Sequence, residues 1–249
     1  IAGGAAEREV EMAEEAAQAS RADGDAAGAA EAMARADAAA LRAGNYYAKG
    51  TGSRITGIAH VRDLYWRAGK AYVRGGYWSG AIRMLDAFYH ISSRSDSGRN
   101  EALYLLGRAC QETGDPERAR QYFEWNLSDP EMAHQEFSNF SRLAQAEGDL
   151  SRGQYESAIN ELKAVFTAGH LGPESLEYRR ALFLLGEAEY EASLVFEAQQ
   201  GKTPLALSRL FEAQRHLQEG LRRAPADLPH RLRAQFFLGG IAREINRMD

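Results

Sequence analysis

Cysteine is almost missing from this chain: Cys110 stands alone among 249 residues. One thiol excludes an internal disulfide framework and a multi-cysteine zinc site, and it leaves the compartment open. Prolines number only six, and long β-branched runs do not occur, which argues for helix over strand. No apolar run approaches the roughly 18–20 residues that a membrane-crossing helix needs. Positive charge is not in excess either, with 30 Lys and Arg against 35 Asp and Glu and a formal net charge of −5. Nucleic-acid binding draws on concentrated Lys and Arg to release counterions. Pairs such as Arg179–Arg180 and Arg222–Arg223 are too short for that and read as solvated helix faces, so nucleic acid is not an expected partner.

Catalytic signals are missing as well. His60, His90, His134, His170, His216 and His230 are scattered with no pair three or four apart, so no tight metal-ligand spacing exists. The sequence has no G-x-S-x-G elbow and no glycine-rich phosphate loop. Asp96-Ser97-Gly98 lacks the further oxygen ligands and the distal Glu of a calcium loop. Cys110 falls among helix-forming residues and reads as a buried, inert thiol. The expectation is a protein without catalytic residues, cofactor or metal.

What the sequence does have is alanine, leucine and a period. Gly76, Gly114 and Gly153 stand 38 and 39 residues apart, and each is followed after four residues by Ala81, Ala119 or Ala158. Four positions beyond each alanine come Leu85, Phe123 and Leu162, at the spacing of one helix face. A second anchor accompanies them as Leu64-Tyr65-Trp66-Arg67-Ala68-Gly69, Leu103-Tyr104-Leu105-Leu106-Gly107, Leu182-Phe183-Leu184-Leu185-Gly186 and Gln235-Phe236-Phe237-Leu238-Gly239. The reading is a helix, a tight turn and a second helix per unit. The anchor glycine marks a close helix crossing, and the turn glycine a left-handed cap.

These anchors resemble the tetratricopeptide (TPR) repeat. The clearest unit runs from about Asn100 to Pro130, and the one before it matches through Tyr65, Gly69, Tyr72, Gly76, Trp78, Ala81 and Leu85. The third has Ala146 where the first glycine would fall. In the fourth the small crossing residue is Ala213, followed by Leu217, Leu221 and Pro225. Gly186 and Gly239 are 53 residues apart, about 15 more than the period. Two unusually long helices, Glu187–Gln200 and Pro204–Arg223, joined near Gly201-Lys202, account for the excess.

The resemblance implies an all-α fold, a right-handed α-solenoid of stacked antiparallel helix pairs. One pair has lengthened helices, and a polar-backed capping helix closes the array. The expected units are about 55–95, 98–131, 133–168 and 174–226, with a cap over 228–248. Residues 1–50 are alanine-rich, with helix formers over Glu7–Ser20 and Ala26–Arg42 broken at Asp23-Gly24-Asp25. They read as a helical hairpin, in which Gly24-Asp25, Ala29 and Met33 form a degraded copy of the turn, or as a stalk. The chain begins at Ile1 rather than Met, which leans toward a membrane-anchored, extracytoplasmic protein whose leading segment is not in hand.

In TPR-like solenoids the first helix of each unit lines a concave surface. Three residues before the anchor glycine, that places Trp66, Tyr104, Leu143, Phe183 and Phe236 in one row. One residue after it come Lys70, Arg108, Glu147 and Glu187. Large rings beside charges suit an extended peptide or an amphipathic helix, and core packing is the other reading of the same row. Some TPR domains clamp a C-terminal carboxylate with Lys and Asn. Here the Asn is missing, which disfavours that mode. The expected function is an interaction scaffold that holds a protein or peptide partner, as a subunit or domain of a larger assembly. The alternatives are a regulatory domain whose groove its own helix occupies and a non-catalytic accessory subunit of an enzyme complex.

Overall fold

The computed structural model describes residues 2–52, 57–129, 136–168, 171–201, 203–223 and 228–248. Pro130, His134, His170, Lys202 and Pro225 lie outside the described residues, as do the unit limits expected near 55, 131, 133 and 226. Eleven helices and no strand occur among the described residues: α1 (Ala2–Ala22), α2 (Ala26–Thr51), α3 (Ile58–Arg74), α4 (Trp78–Ile91), α5 (Gly98–Glu112), α6 (Pro116–Ser128), α7 (Glu136–Ser151), α8 (Tyr155–Ala168), α9 (Leu176–Gln200), α10 (Pro204–Arg223) and α11 (Leu228–Met248). The all-α repeat expectation therefore holds. Residues 1–125 and 126–249 form two compact units.

Four inter-helix turns share one construction. Gly24, Gly76, Gly114 and Gly153 have φ of 76, 69, 77 and 72°, a left-handed conformation that costs a residue without Cβ little. The next residue donates its N–H to the carbonyl five positions back: Asp25 to Ser20 at 2.8 Å, Tyr77 to Tyr72 at 2.9 Å, Asp115 to Cys110 at 2.9 Å and Gln154 to Asp149 at 2.8 Å. This is the Schellman closure, which satisfies carbonyls orphaned at a helix end. After two of these turns an Asp caps the next helix. Asp25 accepts the N–H of Gly28 at 2.9 Å and Asp115 that of Arg118 at 3.1 Å, each cap contributing about 1 kcal/mol. The turn between α1 and α2 is thus the turn of the clear repeats.

Helix pairs close on their anchor glycines. In the first unit a Cβ at Gly69 would stand 2.6 Å from Leu85 Cδ2, and one at Gly107 would stand 2.2 Å from Phe123 Cε1. In the second unit a Cβ at Gly186 would meet Leu217 Cγ at 2.5 Å. Each glycine is a socket, and the large side chain of the pair's second helix fills it. Ala81, Ala119 and Ala213, one turn before those side chains, are all buried. Residues four apart share a helix face, so alanine and the larger residue reach the first helix together. The fourth pair is lengthened as expected, with α9 of 25 residues and α10 of 20 against 15 and 13 in α5 and α6. Ser175 caps α9 through the Tyr178 N–H at 3.1 Å, and Thr203 caps α10 through that of Ala206 at 3.2 Å.

The outer side of α11 is mostly polar, with Arg231, Arg233, Gln235, Arg243 and Arg247 exposed. The inward side chains Ala234, Phe237 and Ile241 join Tyr190, Leu210, Ala213 and Leu217 in one core cluster. The outward face also carries Leu232 and Phe236, 56 % and 72 % exposed.

Candidate partner-binding surface

In the first unit the rings of the expected row rest on their own pair. Trp66, on α3, lies 4.7 Å centroid to centroid from Phe88 on α4. Tyr104, on α5, lies 6.4 Å from Phe123 on α6. Both are half-buried. The geometry has a simple cause: a residue three before the anchor glycine lies on the glycine's own side of the helix, and that side faces the second helix. The residues one after the glycine point about 100° away and reach solvent or a neighbouring first helix. Lys70 Nζ stands 4.6 Å above the Trp66 ring and 3.8 Å from Glu101 on α5. Arg108 pairs with Glu112 at 3.6 Å one turn further along α5.

In the second unit the row divides. Leu143 is 3 % exposed and packs with Ala146, Leu162 and Leu185. It belongs to the core and offers no partner surface, because the α8 side chains at Ile159 and Leu162 close over this face of α7. Phe183 is half-buried, 2.9 Å from where a Cβ of Gly220 on α10 would be. Phe236 is the exposed member, its ring edge-on to Phe237 at 5.7 Å. Glu147 and Glu187, one residue after the anchor positions, pair with Arg180 on α9 and Arg233 on α11.

First helices of successive pairs are thereby laced by charge. Arg67 and Arg74 of α3 reach Glu7 and Glu14 of α1, the first at 3.7 Å and the second at 2.5 Å. Lys70 of α3 reaches Glu101 of α5, and Arg247 of α11 reaches Glu197 of α9 at 2.7 Å. Arg67, Arg74, Glu101, Arg180 and Arg233 escape a search built on rings and glycines. Their sequence signal is a charge of opposite sign at the matching turn of the neighbouring first helix. Pairs of this kind, with at least one partner in solvent, contribute little to stability.

Two concavities accompany these surfaces. In the first unit a groove of about 370 Å³ runs between α1 and α3, floored by Ala40, Ala43 and Ala71 and edged by Glu7, Glu11, Arg67, Lys70 and Arg74. In the second unit a cleft of about 730 Å³ lies between α8, α9 and α10, with Phe166, Tyr178, Leu182 and Leu185 among its apolar lining. At its edge the buried Glu189 carboxylate faces His216 Nδ1 at 2.7 Å and Lys163 at 3.9 Å. The Arg215 guanidinium lies 3.3 Å from His216 Nε2. A guanidinium only donates, so Nε2 accepts from Arg215 and Nδ1–H donates to Glu189. This arrangement ties α9 to α10.

Among the described residues no three His, Cys, Asp or Glu side chains gather as a metal site would require. Burial pushes the Cys110 thiol up to about 11, so the group is a protonated thiol at neutral pH rather than a nucleophilic thiolate. Among the described residues no helix is long and apolar enough to cross a membrane.

No protein-family model matches the chain, and no curated protein sequence does. Solved structures do match. BtubC (BKLC) from P. vanneervenii is 14 % identical with a TM-score of 0.54, covering 89 % of this chain and 94 % of that one. The MamA protein is 17 % identical with a TM-score of 0.48, covering 89 % and 98 %. A Podosopora anserina putative kinesin light chain with nearly identical TPR-like repeats is 19 % identical with a TM-score of 0.46, covering 77 % and 97 %. At these identities the likeness is one of fold, and the BtubC match extends over nearly the whole length of both chains.

Proposed function

We propose that this chain, an all-α repeat protein of TPR-like fold, is a protein–protein interaction scaffold that holds a peptide or helix of a partner as one part of a larger assembly. It supplies a binding surface and no catalytic residue. The observation that carries this reading is the α1–α3 groove of the first unit. Its alanine floor lets a partner backbone come close, and its rim presents Arg67, Lys70 and Arg74 beside Glu7 and Glu11. Lys70 is the residue on which the groove and the expected row meet. Seated over the Trp66 ring, its ammonium is held by a cation–π contact and by Glu101, and it stays exposed. A mixed-charge rim over a small-residue floor suits an extended or helical segment with acidic groups along one edge. Trp66 supports that edge through Lys70, Tyr104 and Arg108 lie on α5, and Phe183 and Phe236 belong to the second unit.

The test is co-purification from the native source with the wild-type chain, Lys70→Glu and Trp66→Ala, with and without nuclease treatment. The groove reading expects at least one protein partner to be lost from both variants and to survive the nuclease. If both variants keep every partner, the groove is not the binding site. If nuclease releases the partners, the scaffold works on nucleic acid instead.

A further inference from the structure

His60 and His90 stand exposed on α3 and α4, whereas the fold encloses His216. Its side chain, on α10, is 14 % exposed and meets a Glu189 side chain that is 4 % exposed. Both ring nitrogens are engaged. Nδ1 lies 2.7 Å from a Glu189 carboxylate oxygen on α9, and Nε2 lies 3.3 Å from Arg215 Nη2. A carboxylate only accepts and a guanidinium only donates, so the neutral ring has one tautomer that satisfies both, with its proton on Nδ1.

This fixes what a second proton does. It enters at Nε2, and there it meets a guanidinium that has no lone pair to offer. Donor then faces donor and cation faces cation. The other charged groups around the ring decide which contact gives way. Glu189 is buried, and its hydrogen bond strengthens when the donor carries a full positive charge. Lys163 on α8 lies 3.9 Å from the other Glu189 oxygen and is 59 % exposed, so it draws on that carboxylate only loosely. Glu212 and Glu219 stand one turn before and one turn after His216 on α10. Glu219 is taken by Arg222 and Arg223. Glu212 already pairs with Arg215 in solvent, the two side chains being 47 % and 64 % exposed. Arg215 therefore keeps a partner when it leaves the ring, and Glu189 is the contact that stays.

We propose that His216 is a proton switch in the wall of the cleft between α8, α9 and α10. The neutral ring holds Arg215 at the cleft edge, and the imidazolium releases Arg215 while keeping Glu189. Both His216 and Arg215 line that cleft. On release an imidazolium N–H takes the place of the guanidinium at the wall, so the edge changes in charge and in shape. The change falls between roughly pH 8 and pH 5, the interval in which histidine is the side chain that responds. The bond between His216 and Glu189 is present in both states, so the switch acts on the cleft without untying α9 from α10. It lies in the second unit and does not depend on the groove between α1 and α3.

The test is nuclear magnetic resonance on the whole 249-residue chain with nitrogen-15 in its histidines and arginines. Long-range proton–nitrogen spectra at about pH 8 should show His216 as the Nδ1–H tautomer, its signals assigned by their loss in His216→Gln. The second readout is the protection of the Arg215 Nη–H protons from solvent exchange, referred to free arginine at the same pH. It should fall at least roughly fivefold between about pH 8 and pH 5, in step with protonation of His216. The Nδ1–H should persist through that transition. In His216→Gln, whose side chain does not titrate, the fall in Arg215 protection should be missing. An Nε2–H tautomer at pH 8 overturns the proposal, and the wild-type chain alone shows it. So does Arg215 protection that holds while His216 protonates, a fall of equal size in His216→Gln, or a ring that stays neutral down to about pH 5.

Discussion

Gly107 and Gly239 occupy equivalent places in their helices, and the same substitution should act on them with opposite sign. At Gly107 an added methyl would stand 2.2, 2.6 and 2.6 Å from three atoms of the Phe123 ring. Real Cβ atoms do not approach so closely, and Phe123, at 1 % exposure, has no free space to turn into. Over-packing of this kind costs about 1–3 kcal/mol, and a rigid ring met edge-on belongs at the upper end. Alanine returns about 1 kcal/mol over glycine inside a helix, so Gly107→Ala should lose about 2 kcal/mol net. At Gly239 the same methyl meets nothing within 4 Å, and only the helix gain of about 0.5–1 kcal/mol remains. The melting temperature should fall by roughly 4–8 °C in the first case and rise by roughly 1–4 °C in the second. Guanidinium titration followed by circular dichroism provides the free energies, fitted with nearest-neighbour coupling because arrays of repeats depart from two-state unfolding. A Gly107→Ala protein as stable as wild type, or a destabilised Gly239→Ala protein, would refute the socket reasoning at that glycine.

Three further outcomes follow from the packing. Leu217→Ala empties the Gly186 socket and should cost about 2–5 kcal/mol, read from the denaturation midpoint. Glu189→Gln replaces the buried charged acceptor of the His216 Nδ1–H by a neutral amide and should destabilise by about 1.5–3 kcal/mol, whereas Lys70→Ala, an exposed pair partner, should cost less than about 1 kcal/mol. Equal losses in those two variants would show that burial does not separate the pairs. The Cys110 thiol should stay unreactive toward a disulfide reagent at pH 8 until the chain is denatured. Its folded pKa is raised by burial to about 11 from 9.0, so its contribution to stability is whole below pH 9 and is lost as the pH rises toward 11. A stability that climbed over that interval in wild type relative to Cys110→Ala would contradict the sign.

Much of the fold was legible because its determinants are local. A left-handed glycine followed five positions later by alanine identifies a turn and the first exposed-to-buried crossing of the next helix, and Gly76, Gly114 and Gly153 all have that conformation. The lengthened α9 and α10 were legible by subtraction, since the anchors at Gly186 and Gly239 stand 53 residues apart, well beyond the 38 and 39 of the turn glycines. The row of rings was legible only as a spacing. Its direction follows from helix geometry, in which position and position plus three share a face, and this is why Leu143 is core while Lys70 is free to meet solvent. The ion pairs between first helices were not legible, because Lys70 and Glu101, or Glu187 and Arg233, become neighbours only when whole pairs are stacked. The exposure of Phe236 was hidden for a related reason. Its sequence context is that of Tyr104 and Phe183, and the difference is that among the described residues a second helix covers those two and not Phe236.

The lacing of first helices also bears on how the array comes apart. Each pair of helices owns its anchor-glycine sockets, and neighbouring pairs also share apolar core clusters. The exposed charges are shared between pairs. Added salt therefore weakens what one pair feels of the next while leaving each pair nearly intact. Within either unit, unfolding should sharpen at low ionic strength, where loss of one pair pulls on its neighbour, and broaden at high ionic strength as pairs release singly. Part of the cooperativity in this chain is in that sense set by its surface carboxylates and guanidinium groups, added to the apolar core that neighbouring pairs share.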